Sequence, residues 1–105
     1  MDVNNLSAEQ QAIVEVLKGV YDPEIPVNIW DMGFIYDIVV DNQLVYILMT
    51  LTAPNCPVAE TLPIEVEDRV KQLPFVKDVA VDITFDPIWT MDNMSEAAKL
   101  ELGFL

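Results

Sequence analysis

Histidine is absent from this 105-residue chain, and that absence excludes more chemistry than any residue present suggests. Without an imidazole there is no Ser-His-Asp triad, no Cys-His nucleophile pair and none of the usual histidine-bearing zinc sites. Cysteine occurs once, at Cys56, so no internal disulfide can form and nothing signals an oxidising compartment. The three glycines, Gly19, Gly33 and Gly103, are scattered, which leaves no glycine-rich phosphate loop. Positive charge is scarce: Lys18, Arg69, Lys71, Lys77 and Lys99 face 18 acidic side chains, give a formal net charge of −13 and form no basic stripe. Nucleic acid and anionic membrane are therefore poor partners. Most of the carboxylates read as solvated surface, the rest as recognition of a basic surface or a cation. The longest apolar run is far too short to span a bilayer, and Met1-Asp2-Val3-Asn4-Asn5 lacks the basic-then-apolar order of a signal peptide. The expectation is a soluble, cytoplasmic protein.

What is present is a folding composition. With 52% hydrophobic and 22% charged residues, the chain has enough apolar surface for one core and too little length for two, so residues 1–105 are expected to form a single domain. Cys56 stands out by its position, in Met49-Thr50-Leu51-Thr52-Ala53-Pro54-Asn55-Cys56-Pro57, where a strand-like run stops and a helix is expected to start. A helix N-terminus offers unpaired N–H groups and partial positive charge, both of which favour a thiolate. Pro57 suits the first helical position and would make Cys56 the cap. The competing reading, a small buried hydrophobe, is the ordinary fate of a lone cysteine, and the position argues against it.

Ser7 and Gln10 form a capping-box signature, and Ile13, Val16, Leu17 and Val20 recur at helical spacing, predicting a helix from about Ala8 to Val20. Asp22-Pro23-Glu24-Ile25-Pro26 ends it. Residues 27–33 have no clean period and read as an ordered loop. The β-branched and aromatic runs 35–40 and 44–51 read as a hairpin turning at Asp41-Asn42, with the second strand apolar on both faces, as a central strand would be. Leu62, Val66, Val70 and Leu73 predict a second helix, which either kinks at Pro63 or restarts near it. Val79, Val81, Ile83 and Phe85 alternate with wetter residues as a third strand, and Asn93 to Glu96 is expected to cap a short last helix that Gly103 closes. The order αββαβα predicts an α+β two-layer sandwich: a three-stranded sheet with helices packed on one face. In such sheets ligands often sit beyond the carboxyl ends of strands, beside helix N-termini, and Cys56 lies at such a junction.

Four co-linear blocks then carry a specific resemblance. They are Asp22-Pro23-Glu24-Ile25-Pro26-Val27-Asn28-Ile29-Trp30-Asp31-Met32-Gly33-Phe34-Ile35-Tyr36, the Met49 to Pro57 segment, Phe85-Asp86-Pro87-Ile88-Trp89-Thr90, and Met94-Ser95-Glu96-Ala97-Ala98. Together they are similar to the signature blocks of the MIP18 family, also called DUF59, over nearly the whole chain. The resemblance implies a non-enzymatic, accessory role in iron–sulfur cluster assembly or in delivery to client apoproteins, with the assembly machinery and those clients as partners. The short length and lack of extra cysteines look most like the stand-alone SufT-like type; a PaaD-like maturation factor for a multicomponent oxygenase is the alternative within the family. Asn28 departs from the aspartate common there, and Ile88 from a frequent second proline. Cys56, Asp22, Glu24, Thr52 and Trp89 match the pattern.

Iron–sulfur clusters take thiolate ligands, usually four, and this chain supplies one. No stably bound cofactor is expected; Cys56 would instead be a transient iron or iron–sulfur ligand, with Asp22 and Glu24 shaping the charge around it. Carboxylates nearby would raise the thiol pKa and oppose the helix-terminus effect. Asp22 also reads as a turn residue, and Thr52 as a strand-end hydroxyl bonded to backbone. Trp30 and Trp89 read as core or loop anchors whose indole N–H groups need partners if buried. Two rival functions remain. A thiol enzyme would lack both a base and a resolving cysteine, whereas a protein interaction module would make no use of the cysteine. Exposed strand edges make a homodimer a reasonable expectation.

Overall fold

The computed structural model describes residues 5–22, 25–52 and 61–104. Helix α1 spans Ala8–Leu17 and opens on the expected capping box: the Gln10 amide donates to Ser7 Oγ at 3.1 Å, and the Ser7 amide donates to Gln10 Oε1 at 2.9 Å. The Gln10 side-chain amide also donates to the Ile38 carbonyl at 2.8 Å, tying the helix start to the first strand. Regular helix stops at Leu17, short of the predicted Val20. Beyond it the chain tightens into three-residue turns, Gly19 N to Val16 O and Val20 N to Leu17 O, which still deliver Val20 to the core.

Strands β1 (Ile35–Asp41) and β2 (Leu44–Met49) pair antiparallel, and β3 (Asp78–Ile83) pairs parallel to β2, so β2 is central. The hairpin turn lies one residue later than expected. Asp41 pairs with Leu44, and the two loop residues are Asn42 and Gln43, with φ of 50° and 69°. Two left-handed residues match the right-handed twist of the strands; Asn42 tolerates that conformation better than Gln43 does.

Helix α2 (Leu62–Val70) begins at Leu62, so Pro63 falls in its first turn and causes no kink. It connects the parallel pair β2 and β3. Its N-cap is Thr61, which makes no side-chain capping bond; the expectation that Cys56 and Pro57 open a helix concerns residues outside the described ones. Helices α1 and α2 pack on each other and on the sheet, over β1 and β3 respectively. They cover the face presented by Val45, Ile47 and Met49 of β2, and Ile13, Leu17, Val66 and Val70 complete the same apolar cluster. Truncating any of these to alanine would cost about 2–5 kcal/mol for the larger side chains.

A short 3₁₀ turn at Met91–Asn93 precedes α3 (Glu96–Glu101). Within the expected capping stretch, Asn93 to Glu96, the cap of α3 is Ser95: its Oγ accepts from the Ala98 amide at 3.1 Å, while Asn93 ends the 3₁₀ turn. At the other end Gly103, with φ 83°, supplies the left-handed residue of a Schellman closure, Phe104 N to Lys99 O and Gly103 N to Leu100 O.

Candidate functional site

The strand directions decide where the chemistry-bearing segments meet. Ile35 at the start of β1 lies opposite Met49 at the end of β2, and Met49 lies opposite Ile83 at the end of β3. The loop entering β1, the chain leaving β2 and the chain leaving β3 therefore emerge at one end of the sheet. Those three segments hold the four sequence blocks singled out above.

The loop before β1 is ordered, as expected, by its own backbone. Tyr21 bridges Asn28, the Ile29 amide donates to the Val20 carbonyl at 2.8 Å, and the Phe34 amide to the Ile29 carbonyl at 3.1 Å. Asn28 closes a local turn: its Oδ1 accepts from the Asp31 amide at 2.9 Å and its Nδ2 donates to Asp31 Oδ2 at 2.8 Å. Asn28 is thus occupied with loop geometry.

This loop is latched to the segment after β3. Trp89 Nε1 donates to the Met32 carbonyl at 2.7 Å, and the Trp89 ring meets Phe34 edge-on at 5.9 Å and 69°. The Ser95 amide donates to the Asp31 carbonyl at 2.9 Å, and Tyr36 Oη donates to the Pro87 carbonyl at 2.7 Å. At Gly33 the two segments are too close for any side chain: φ is 76°, and a Cβ would stand 2.1 Å from the Asn93 carbonyl oxygen. Thr50 N to Phe34 O at 2.7 Å and Thr84 N to Met49 O at 2.9 Å join the end of β2 to both neighbours.

Of the predicted site residues, Asp22 and Thr52 are described, and Cys56 and Glu24 lie outside the described residues. Asp22 is buried, 4% exposed, and is not left without a partner; its carbonyl accepts from the Ile25 amide at 3.1 Å, so the turn role holds. Thr52 is exposed. A strand-end hydroxyl bonded to backbone is found at Thr50, which is fully buried and donates to the Leu51 carbonyl at 3.3 Å. Asp22 and Thr50 are the buried polar residues among those described. Sequence reasoning passed over Thr50 because both threonines sit in one apolar run. It also passed over the Gly33–Asn93 approach, which only a lone glycine inside an aromatic-rich block hinted at. Among the described residues no three cysteine or carboxylate side chains assemble as a metal-binding group.

No lysine or arginine occurs between Lys18 and Arg69 or between Lys77 and Lys99, so these stretches of the converging segments carry carboxylates without a cation of their own.

Comparison with known proteins gives a consistent picture. Residues 10–83 match the family described as iron–sulfur cluster assembly protein. The chain is 48% identical, over 97% of its length and 98% of the relative's, to the Fe-S protein maturation auxiliary factor of Porphyromonas gingivalis. It is 42% identical, over 91% of its length and 95% of the relative's, to the auxiliary factor YitW of Bacillus subtilis. A crystal structure of a DUF59 domain from Bacillus anthracis superposes with a TM-score of 0.88 at 32% identity, covering 93% of this chain and 94% of that one.

Proposed function

The chain belongs to the iron–sulfur cluster assembly protein family, DUF59, and from that premise we propose that it is a non-enzymatic accessory factor that helps assemble or deliver clusters to client apoproteins through transient ligation by Cys56. The observation that supports this reading best is the convergence of the four sequence blocks on one sheet end, where backbone hydrogen bonds hold two of the three loops together. Cys56 lies in the segment that connects that end of β2 to α2.

The cluster, as cargo, supplies its own electrostatics. Carboxylates without lysine or arginine in these stretches of sequence oppose ionisation of a thiol, and a helix N-terminus favours it. Iron tips that balance, because a coordinating thiol loses its proton outright. Cys56 would thus bind by ligand exchange, replacing one ligand of a cluster whose other ligands come from a donor or client, and releasing its proton to solvent. No redox step is needed. In this reading Asp22 and Glu24 shape the charge around the thiol, and ligand exchange lets release follow capture. A single thiolate makes the complex weak by design, since the usual complement is four.

The test is activation of an iron–sulfur dehydratase apoprotein in anaerobic mixtures with a cluster donor. The wild-type chain is expected to speed activation, and Cys56→Ala to leave the donor's own rate. Equal acceleration by both would sink the thiolate role. Stoichiometric visible absorption retained on the purified wild type and lost in Cys56→Ala would replace transient contact with a resident carrier.

A further inference from the structure

The sheet face turned away from α1 and α2 is used by neither the core nor the proposed ligation. Strand register lays it out in three rows. The middle row is Val39, Tyr46, Ala80. The row toward the clasped end is Asp37, Leu48, Asp82, and the row toward the hairpin is Asp41, Leu44, Asp78. An apolar column thus runs along β2 with an aspartate at each corner, about 10 Å apart across the strands and about 13 Å apart along them from standard strand spacings. Val39 is 44% exposed and Leu44 52%, while Tyr46 and Leu48 are half-buried. Of the four aspartates only Asp78 has an ion pair among the described residues, with Lys71 at 3.6 Å.

We propose that this aspartate-cornered face docks a protein partner presenting an apolar contact ringed by lysine or arginine. The occupant follows from charge. A second copy would set the same carboxylates against themselves, on a chain already at −13. Nucleic acid and anionic lipid are repelled for the same reason. A cationic protein surface gains on both counts: its apolar centre covers Val39, Leu44 and Tyr46, and its charges meet Asp37, Asp41 and Asp82, which have no cation of their own. The field is felt locally, since Asp82 and Asp37 add to partial burial in raising the Tyr46 hydroxyl above its ordinary pKa. The inference does not depend on Cys56. It adds a handle for donor or client built from strand residues alone.

The probe is a capped peptide of alternating lysine and leucine, titrated into the full chain and followed residue by residue by NMR, with a glutamate–leucine peptide as control. Shift changes are expected to gather on residues 37–48 and 78–82, to be absent with the control, and to need about tenfold more peptide at high salt. Asp37→Asn with Asp82→Asn should weaken binding at least about fivefold, whereas Glu9→Gln with Glu15→Gln on α1 should leave it unchanged. Cys56→Ala should bind as the wild type does, so failure here is distinct from failure of the ligation reading. Shifts scattered over the whole acidic surface, equal weakening by both double variants, or self-association through this face would overturn the proposal.

Discussion

The two ends of one sheet are built by opposite rules. At the hairpin end, β1 turns into β2 through two residues, Asn42 and Gln43, and one further bond, Lys77 N to Gln43 O at 2.8 Å, fastens the start of β3. At the other end the chain uses long loops, buries Asp22 and Thr50, and presses Gly33 against the Asn93 backbone. Closing a sheet needs only the first kind of end. The second kind is a cost in backbone entropy of about 1–2 kcal/mol per ordered residue, and a fold carries such a cost where loops must be held in place for function. The difference singles out the end of the sheet on which the proposed function rests.

The contrast can be broken or sharpened by substitution. Gly33→Ala should have the largest effect, a loss of about 3 kcal/mol or more in urea unfolding, because the residue is left-handed and its Cβ would collide with backbone rather than with a movable side chain. A loss under about 1 kcal/mol would mean that the two segments separate cheaply, and the clasp would lose its meaning. Trp89→Phe keeps the edge-on ring against Phe34 but deletes the bond to the Met32 carbonyl, so about 1 kcal/mol is expected. If Tyr36→Phe, which removes the bond to Pro87, cost far more than Trp89→Phe, the latch would centre on the start of β1 instead. At the hairpin end the sign should reverse. Gln43→Gly relieves a left-handed glutamine, and a gain of roughly 0.5 kcal/mol in thermal unfolding is expected.

The smallest effect belongs to the open face. Partial burial and the nearby Asp82 and Asp37 carboxylates raise the Tyr46 pKa, so the folded chain holds that proton more tightly than the unfolded chain does. The associated stability is complete below about pH 10, the ordinary tyrosine value, and is lost as pH rises through the higher folded value. Asp82→Asn should lower the Tyr46 titration midpoint, read by ultraviolet absorbance, and shrink that alkaline loss. An unchanged midpoint would show that burial and Asp37 raise it without Asp82.

Local signals carried much of this architecture. Ser7 and Gln10 announced the α1 cap because both bonds of a capping box lie within four residues. The apolar run from Leu44 announced a central strand, and β2 is paired on both edges. What local signals leave open depends on competition between neighbours. Asn93 and Ser95 are both good caps, and only the 3₁₀ turn, itself fixed by contact with the loop before β1, assigns the role to Ser95. Likewise Thr50 and Thr52 are indistinguishable until Thr50 is seen bonded to Phe34 across the sheet. The convergence of the four blocks was legible as a resemblance but not as geometry, since it follows from one antiparallel and one parallel pairing that no local pattern encodes.

The central claim is that the clasped end exists to present one thiol to a cluster held by another molecule. Its most direct test is in cells lacking this protein, where iron–sulfur dehydratase activity is measured after supplying the wild-type chain or Cys56→Ala at equal abundance. The account predicts that the wild type restores activity and the variant does not, although both fold with the same circular dichroism and melting temperature. Full restoration by Cys56→Ala would contradict it.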